Sequence, residues 1–155
     1  MILVTLGTQD QKFYRLLDYI ENSHIDDEII VQAGGSADYE SRKMKIFKFI
    51  DYDKMDKLID ESDLIITHGG TGSILTPLKK GKKVIACARL EKYQEHINDH
   101  QCEIVSLFKK EGYILELNEE NKLDDLMKEI KKFKVKKYIS NTDNFINGLK
   151  KLIDE

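Results

Sequence analysis

The stretch LIITHGGTG, at residues 64–72, constrains the fold more than any other part of the sequence. Three apolar, strand-forming residues lead into Thr67 and His68, and glycines follow before a helical pattern begins. A buried strand that ends in glycines and opens a helix leaves unpaired backbone N–H groups at the positive end of that helix, where phosphate is the usual ligand. Such a turn also serves simply to reverse the chain, so the motif alone leaves both interpretations open.

The same order of strand, turn and helix repeats along the chain. Short apolar runs predict strands at residues 1–6, 28–32, 45–50, 64–67, 83–88 and 113–117. Helical patterns cover residues 13–21, 73–80, 99–111, 123–133 and 144–153, and a further helix follows the capping residues Asp51 and Asp53. Pro77 is expected near the first turn of its helix, and Gly81 is expected to end that helix. This alternation predicts one α/β domain over residues 1–155: a Rossmann-like, doubly wound parallel sheet with its ligand at the carboxyl ends of the strands.

Composition excludes several classes of protein. The chain has 155 residues and a net charge of −3, which gives no general attraction to nucleic acid. No apolar run approaches the roughly 20 residues needed to span a bilayer. The amino-terminal MILVTLGTQ lacks a basic segment and a cleavage site, so it predicts a first strand rather than a signal peptide. Cys87 and Cys102 lie outside any metal-ligand spacing and are expected to be reduced thiols of a cytoplasmic protein.

Two turns hold candidate phosphate ligands. Gly7, Thr8 and Gln9 follow the first strand, and they either contact a phosphate or sugar or form a tight turn with Thr8 as a cap. After the fourth strand, His68 either donates to a phosphate or leaving group or is a buried, satisfied histidine. The residues that follow His68 are candidate diphosphate contacts or helix caps: Gly69, Gly70, Thr71, Gly72 and Ser73.

A third candidate is the polar run RLEKYQEHINDHQ after the fifth strand. Arg89 and Lys92 are cations available to phosphates, and the directional groups that could read sugar hydroxyls are Glu95, His96, Asn98, Asp99, His100 and Gln101. His96 and His100 have helical zinc-ligand spacing, but no third ligand is evident and no metal is expected. The alternative is a solvated loop in which Asn98 caps the next helix.

A basic set near the C-terminus has three open interpretations. It comprises Lys128, Lys131, Lys132, Lys134, Lys136 and Lys137. These lysines form a solvated face, meet anionic lipid beside the apolar Leu126, Ile130 and Phe133, or contact a partner protein. Residues 118–155 are expected to dock on the sheet or on a partner.

Three segments in this order, MILVTLGTQDQKFYRLL, THGGTGSI and RLEKYQEHINDHQ, resemble the C-terminal, donor-binding half of glycosyltransferase family 28, over about residues 1–117. The small stand-alone members of that family are the nearest in character: catalytic subunits of two-subunit UDP-sugar transferases of dolichol-linked glycans and of bacterial capsule and exopolysaccharide. The resemblance implies the C-terminal half of a GT-B enzyme, with UDP-sugar as donor substrate and no further cofactor.

The resemblance also implies where the donor binds. Uracil is expected near Ile50, between Phe49 and Asp51, and the diphosphate over the turn after His68 and over Gly7 and Thr8. The sugar is read by Asn98, His100 and Gln101. Full-length relatives bind the ribose with a carboxylate in the helix after the glycine turn, a position at which this sequence has Thr76.

A GT-B enzyme keeps its acceptor site and usually its general base in an N-terminal half, which this sequence does not include. The resemblance therefore implies an inverting transferase whose lipid-linked acceptor and base come from a membrane-anchored partner subunit. His68, Arg89 and the helix N-terminus stabilise the departing UDP. The chain is then cytoplasmic and peripheral to the membrane through its partner, and its docking face favours self-association when it is alone. Two alternatives remain open: a non-catalytic stabilising subunit, and a nucleotide-sugar epimerase or hydrolase relative.

Overall fold

The structure is a computed structural model that describes residues 1–138 and 147–148. Its strands and helices follow one another along the chain as β1 Ile2–Thr5, α1 Tyr14–Glu21, β2 Ile29–Gln32, β3 Met44–Phe47, α2 Tyr52–Glu61, β4 Leu64–His68, α3 Thr71–Lys79, β5 Lys83–Cys87, α4 His100–Lys110, β6 Leu115–Glu116 and α5 Leu123–Lys132. The helix predicted at residues 144–153 lies almost entirely outside the described residues.

The six strands of the described residues are all parallel, in the order β3-β2-β1-β4-β5-β6. The chain builds outward from β1 in one direction and then from β4 in the other, so the order reverses between these two neighbours. This is the doubly wound, Rossmann-like arrangement that the strand–helix alternation predicted, and ligands bind at its reversal point, beyond the carboxyl ends of the strands.

Two apolar layers cover the sheet, because residues alternate between its faces along each strand. On one face Val4 and Ile66 pack against α1 and α5. On the other face Leu3 and Ile65 pack against α2, α3 and α4. Burying each such side chain contributes roughly 1.5–3 kcal/mol. The carboxyl-end loops of β1 and β4 therefore rest on a scaffold that is packed on both sides.

One predicted boundary, the start of α3, differs in a way that matters for the site. Helix α3 begins at Thr71 instead of Ser73. Pro77 therefore lies inside the helix, and the prediction that it lies near the first turn is wrong. The glycine turn is shorter than expected because Gly70 already occupies the position that caps the helix. Gly81 ends the helical segment with a φ of +74°, the left-handed conformation that glycine adopts without strain.

Helix α5 answers part of the question about the basic C-terminal set. Its Leu126 and Ile130 are buried in the apolar layer that α1 and α5 form on one face of the sheet, so they offer no apolar surface to lipid. Lys83 donates from Nζ to the carbonyl of Ile130 at 2.9 Å and so binds the last turn of the helix. Among the described residues, no helix is long and apolar enough to cross a membrane.

Candidate functional site

The N-terminus of α3 lies at the reversal point, directly after β4. Ile74 is the first residue whose N–H reaches back along the helix, to the carbonyl of Gly70 at 3.1 Å. No side chain of the described residues caps this end. The N–H groups of Thr71, Gly72 and Ser73 therefore have no helical acceptor, and together with the helix dipole they form a site that attracts an anion.

The glycines around this helix end have different physical reasons to be glycine. A Cβ on Gly70 would lie 2.5 Å from Cε1 of His68, and one on Gly7 would lie 2.9 Å from the same ring. A Cβ on Gly69 would lie 2.8 Å from Cβ of Gln101, so this glycine lets α4 pack against the end of β4. A Cβ on Gly72 meets no atom within 4 Å. Packing thus explains Gly7, Gly69 and Gly70, whereas Gly72 faces open space at the anion site.

His68 is a buried, hydrogen-bonded histidine between two glycine turns. Gln101 sets the tautomer of His68, because the orientation of the Gln101 amide is fixed. Its Oε1 accepts from the N–H of Gly69 at 3.0 Å and from the N–H of Arg89 at 3.1 Å. The amide Nε2 of Gln101 then faces Nδ1 of His68 at 3.2 Å. An amide nitrogen only donates, so Nδ1 accepts and the proton of the neutral ring lies on Nε2.

The other ring nitrogen connects His68 to the helix end. Its Nε2 lies 3.1 Å from Oγ of Ser73, and with the proton on Nε2 the histidine donates to that hydroxyl. The hydroxyl hydrogen of Ser73 is then free to point at a ligand. Burial lowers the pKa of His68 to about 3, and the nearby charge of Arg89 lowers it as well. His68 is therefore neutral at physiological pH, and it positions Ser73 without supplying a positive charge.

Arg89 was predicted to contact phosphate, and the structure corrects this prediction. The side chain is fully buried. Its Nη1 donates to the carbonyls of Gln11 and Glu95, both at 2.9 Å, and its Nη2 donates to the carbonyl of Leu6. The guanidinium also lies over the ring of Phe13, 5.0 Å from its centroid. Arg89 joins the loops after β1 and β5. Its positive charge acts on the site through its electrostatic potential and not through direct contact with a ligand.

Glu95 was predicted to bind substrate, but both of its carboxylate oxygens are occupied within the protein. Arg15 binds them in a fork, with Nε to Oε2 at 3.1 Å and Nη2 to Oε1 at 3.0 Å. The N–H of Leu90 also donates to Oε1, at 2.9 Å. Arg15 lies over the ring of Tyr93 and donates to the carbonyl of Ala88 at 2.9 Å. The Arg15–Glu95 ion pair holds the loop after β5 in place. Arg15 therefore helps to shape the site, although nothing in the sequence indicated this role.

The remaining polar residues of this loop divide into two groups. Asp99 accepts from the N–H of Glu91 at 2.9 Å, and Oδ1 of Asn98 accepts from the N–H of His100 at 3.0 Å, which are contacts that shape the loop. The side-chain nitrogen of Asn98 and the ring of His100 have no partner among the described residues. His96 precedes α4, so it does not share a helical face with His100. The described residues include no group of three potential ligands that would hold a metal ion.

A cavity of about 220 Å³ opens beside the N-terminus of α3, between α2 and α3. Its floor is the carboxyl end of the sheet, and its lining includes Thr5, Gln32, Tyr52, Met55, Gly72, Ser73, Thr76 and Pro77. Tyr52 is 84% exposed at the rim. Ile50 packs against the apolar layer beneath α2 but does not line the cavity, and Asp51 caps α2 by accepting from the N–H of Lys54 at 2.9 Å.

Residues 1–155 match the glycosyltransferase family 28 C-terminal domain. The chain belongs to this family. Over 73 residues it is 38% identical to the UDP-N-acetylglucosamine transferase subunit ALG13 of Saccharomyces cerevisiae, across 46% of this chain and 34% of the yeast protein. It is 29% identical over 121 residues to the ALG13 subunit of Candida albicans, across 75% of this chain and 36% of that protein. The matches thus span about a third of these relatives.

Solved structures show the same fold. The NMR solution structure of ALG13 superimposes with a TM-score of 0.56 and 21% identity, across 93% of this chain and 92% of that one. CalG4, the calicheamicin glycosyltransferase, superimposes with a TM-score of 0.57 and 12% identity, across 97% of this chain and 36% of its own. The predicted resemblance to family 28 and the Rossmann-like fold of GT-B glycosyltransferases are both confirmed.

Within this family 28 domain, some of the predicted site residues are buried and bonded to the protein, and others are exposed to a ligand. Arg89, Glu95 and Gln101 are buried and bonded to the protein, so they shape the site from within. Side chains that reach the surface of the site and have no side-chain partner among the described residues are Thr8, Thr71, Thr76 and His100. The hydroxyl of Ser73 contacts only His68 among the described residues, and Ser73 remains partly exposed. Their contacts with substrate stay predictions.

Gln32 and Arg15 are residues of the site that were not predicted from the sequence. Gln32 carried one signal: it is a polar residue that ends an otherwise apolar strand, at the carboxyl edge where ligands bind. Arg15 carried none, because its partner Glu95 lies 80 positions away and only the fold brings the two together.

Proposed function

We propose that this family 28 domain binds a UDP-sugar and is the donor-binding, catalytic part of a two-component inverting glycosyltransferase. One structural observation carries the proposal: the uncapped N-terminus of α3 with Gly72 in open space, beside a cavity at the reversal point of the sheet. The diphosphate lies against the N–H groups of Thr71 to Ser73, where the helix dipole stabilises negative charge.

The same helix end supports the transfer step. A hydroxyl of the acceptor attacks the anomeric carbon, the bond from that carbon to the diphosphate oxygen breaks, and UDP leaves with the bonding electrons. Negative charge grows on the leaving diphosphate, and N–H groups fixed in advance stabilise it more in the transition state than in the bound donor. The hydroxyl of Ser73, turned outward by His68, adds a donor at the same place.

His68 is not the general base in this proposal. Its Nδ1 accepts from Gln101, its Nε2 donates to Ser73, and burial has already lowered its pKa to about 3. The proton of the acceptor hydroxyl is taken by a group that the acceptor-binding subunit supplies. Asn98, on the loop after β5, and His100, at the start of α4, read the hydroxyls of the transferred sugar.

The acceptor is lipid-linked and is held by a membrane-anchored partner, in the assembly of a polysaccharide or glycolipid such as capsule or exopolysaccharide. One finding supports a partner: the curated relatives are named as transferase subunits.

Titration calorimetry of UDP and a panel of UDP-sugars into the purified chain tests donor binding. We expect dissociation constants in the micromolar to millimolar range and tighter binding of one UDP-sugar than of UDP, while UMP, which lacks the second phosphate, binds more weakly. Equal binding of UMP and UDP contradicts a diphosphate site. Release of UDP in the absence of any partner would favour a hydrolase instead.

A further inference from the structure

A row of polar side chains crosses the sheet at the floor of the cavity. In the strand register Thr5 of β1 stands beside Gln32 of β2 and beside Thr67 of β4. Their neighbours one position earlier, Val4, Val31 and Ile66, point to the α1 side, so the row faces α2 and α3. Thr5 donates to Thr67 at 2.8 Å between the two hydroxyl oxygens. Thr5 and Gln32 line the cavity.

The amide of Gln32 has a fixed orientation. Its Nε2 lies 2.9 Å from the carbonyl oxygen of Gly7 and 3.1 Å from that of Lys48. Two carbonyls require a donor, so the nitrogen faces them and both of its hydrogens are used. Oε1 then accepts from no described residue, and Gln32 lines the cavity. A ligand that fills the cavity removes water from this oxygen, and the lost hydration costs free energy unless the ligand itself supplies a donor.

We infer that Gln32 is a specificity-determining residue whose Oε1 accepts a hydrogen bond from a hydroxyl group of the ligand's pentose, at the floor of the cavity between α2 and α3. This inference rests on the proposed function, because the pentose is the part of a UDP-sugar that is bonded directly to the diphosphate. The cavity begins at Gly72 and Ser73, where that diphosphate lies, so the pentose is the group that reaches it first.

The size and lining of the cavity agree with a pentose. Its volume of about 220 Å³ is below the roughly 300–1,000 Å³ of pockets that take up drug-sized ligands, so it accommodates one ring of the donor and not the whole molecule. Thr76, one turn along α3 from Gly72, lines it as well. The side chain of Thr76 is short, so it leaves room in the cavity for an acceptor that comes from the strand below.

The test compares the affinities of UDP, 2′-deoxy-UDP and 3′-deoxy-UDP for the wild-type chain and for Gln32→Met, by titration calorimetry. In the wild type we expect one deoxy analogue to bind about tenfold more weakly than UDP, because it covers the Gln32 amide oxygen without donating a hydrogen bond to it. In Gln32→Met this ratio falls to about one. The ratio is its own control, since structural damage from losing the contacts to Gly7 and Lys48 weakens all three ligands alike.

Each other outcome overturns the inference. If UDP binds the wild type and both deoxy analogues bind equally well, Gln32 does not read a pentose hydroxyl, and the proposed function stands. A ratio of ten that survives in Gln32→Met assigns the hydroxyl to another residue. Discrimination only against N3-methyl-UDP, added as a fourth ligand, means that the cavity reads the base. If UDP does not bind at all, the proposed function fails and the inference fails with it. The wild-type ratios need no variant, so the test holds even if Gln32→Met does not fold.

Discussion

Replacing Gly72 with alanine separates ligand binding from folding more cleanly than any other change at this site. The added Cβ meets no protein atom within 4 Å, and Gly72 is the second residue of α3, outside the left-handed backbone region. Alanine is more favourable than glycine in a helix by up to about 1 kcal/mol. Since the first turn shows only part of this difference, we expect a gain of about 0.5 kcal/mol and a melting temperature that is 1–2 °C higher.

The same methyl group occupies the space that the proposed diphosphate needs. The N–H groups of the first turn of α3 face this space, and a methyl carbon there prevents an anion from approaching them closely. Losing one charge-assisted hydrogen bond costs about 1.5–3 kcal/mol, which corresponds to roughly 10–150-fold weaker binding. The expected variant is therefore slightly more stable than the wild type and much poorer at binding UDP.

Thermal unfolding and calorimetric titration with UDP measure both quantities on the same preparation. Ser106→Ala is the matched control, because Ser106 is exposed in the middle of α4 and its replacement also raises helix propensity. The control should gain a similar stability and keep the wild-type affinity for UDP. A stable Gly72→Ala protein that binds UDP as tightly as the wild type would refute the placement of the diphosphate on α3.

Gly70 is a less informative position for the same experiment. A side chain there would meet the His68 ring, with Cβ 2.5 Å from Cε1. Gly70→Val would displace a buried residue that is bonded to both Gln101 and Ser73. Loss of UDP binding in that variant would report damage to the site and not the position of the phosphate.

Three further predictions concern residues around α3 and the loop after β5. Arg89→Met leaves three backbone carbonyls without their donor and should lower the free energy of unfolding by about 3–5 kcal/mol in urea titrations; a variant of wild-type stability that loses UDP affinity would instead mean that Arg89 reaches the phosphate. His68 has a pKa of about 3 when folded and 6.5 when unfolded, so between pH 6.5 and 4.5 the unfolded chain gains a proton that the folded one does not; the wild type should lose about 2 kcal/mol of stability over this range relative to His68→Gln, and parallel pH profiles would contradict the buried, neutral histidine. Asn98→Asp keeps the acceptor for the N–H of His100 but loses the amide donor, so UDP-sugar binding should weaken several-fold in calorimetry while UDP binding is unchanged; equal losses for both ligands would place Asn98 away from the sugar.

The sequence by itself determined the fold and the place of the candidate site. The apolar strands, the helical periodicity and the glycine turn after β4 are patterns within a few residues, and each specifies local geometry through backbone sterics and burial. Once strands and helices alternate, the right-handed crossover leaves few arrangements, and the ligand edge follows from the topology. This is why a helix N-terminus after β4 at the ligand edge was predictable from the sequence, whereas its first residue, Thr71, and the lack of a side-chain cap were not.

Only the tertiary structure decided which polar residues face a ligand and which hold the protein together. A polar side chain in the sequence carries no mark of its partner: Arg89 had the chemistry of a phosphate ligand, but folding places three carbonyls around it. Glu95 is bound by Arg15 from 80 positions away, whereas the amide oxygen of Gln32 is left open at the floor of the cavity. Hydrogen bonds act over about 3 Å, so these roles depend on atomic positions that residues far apart in the chain determine together.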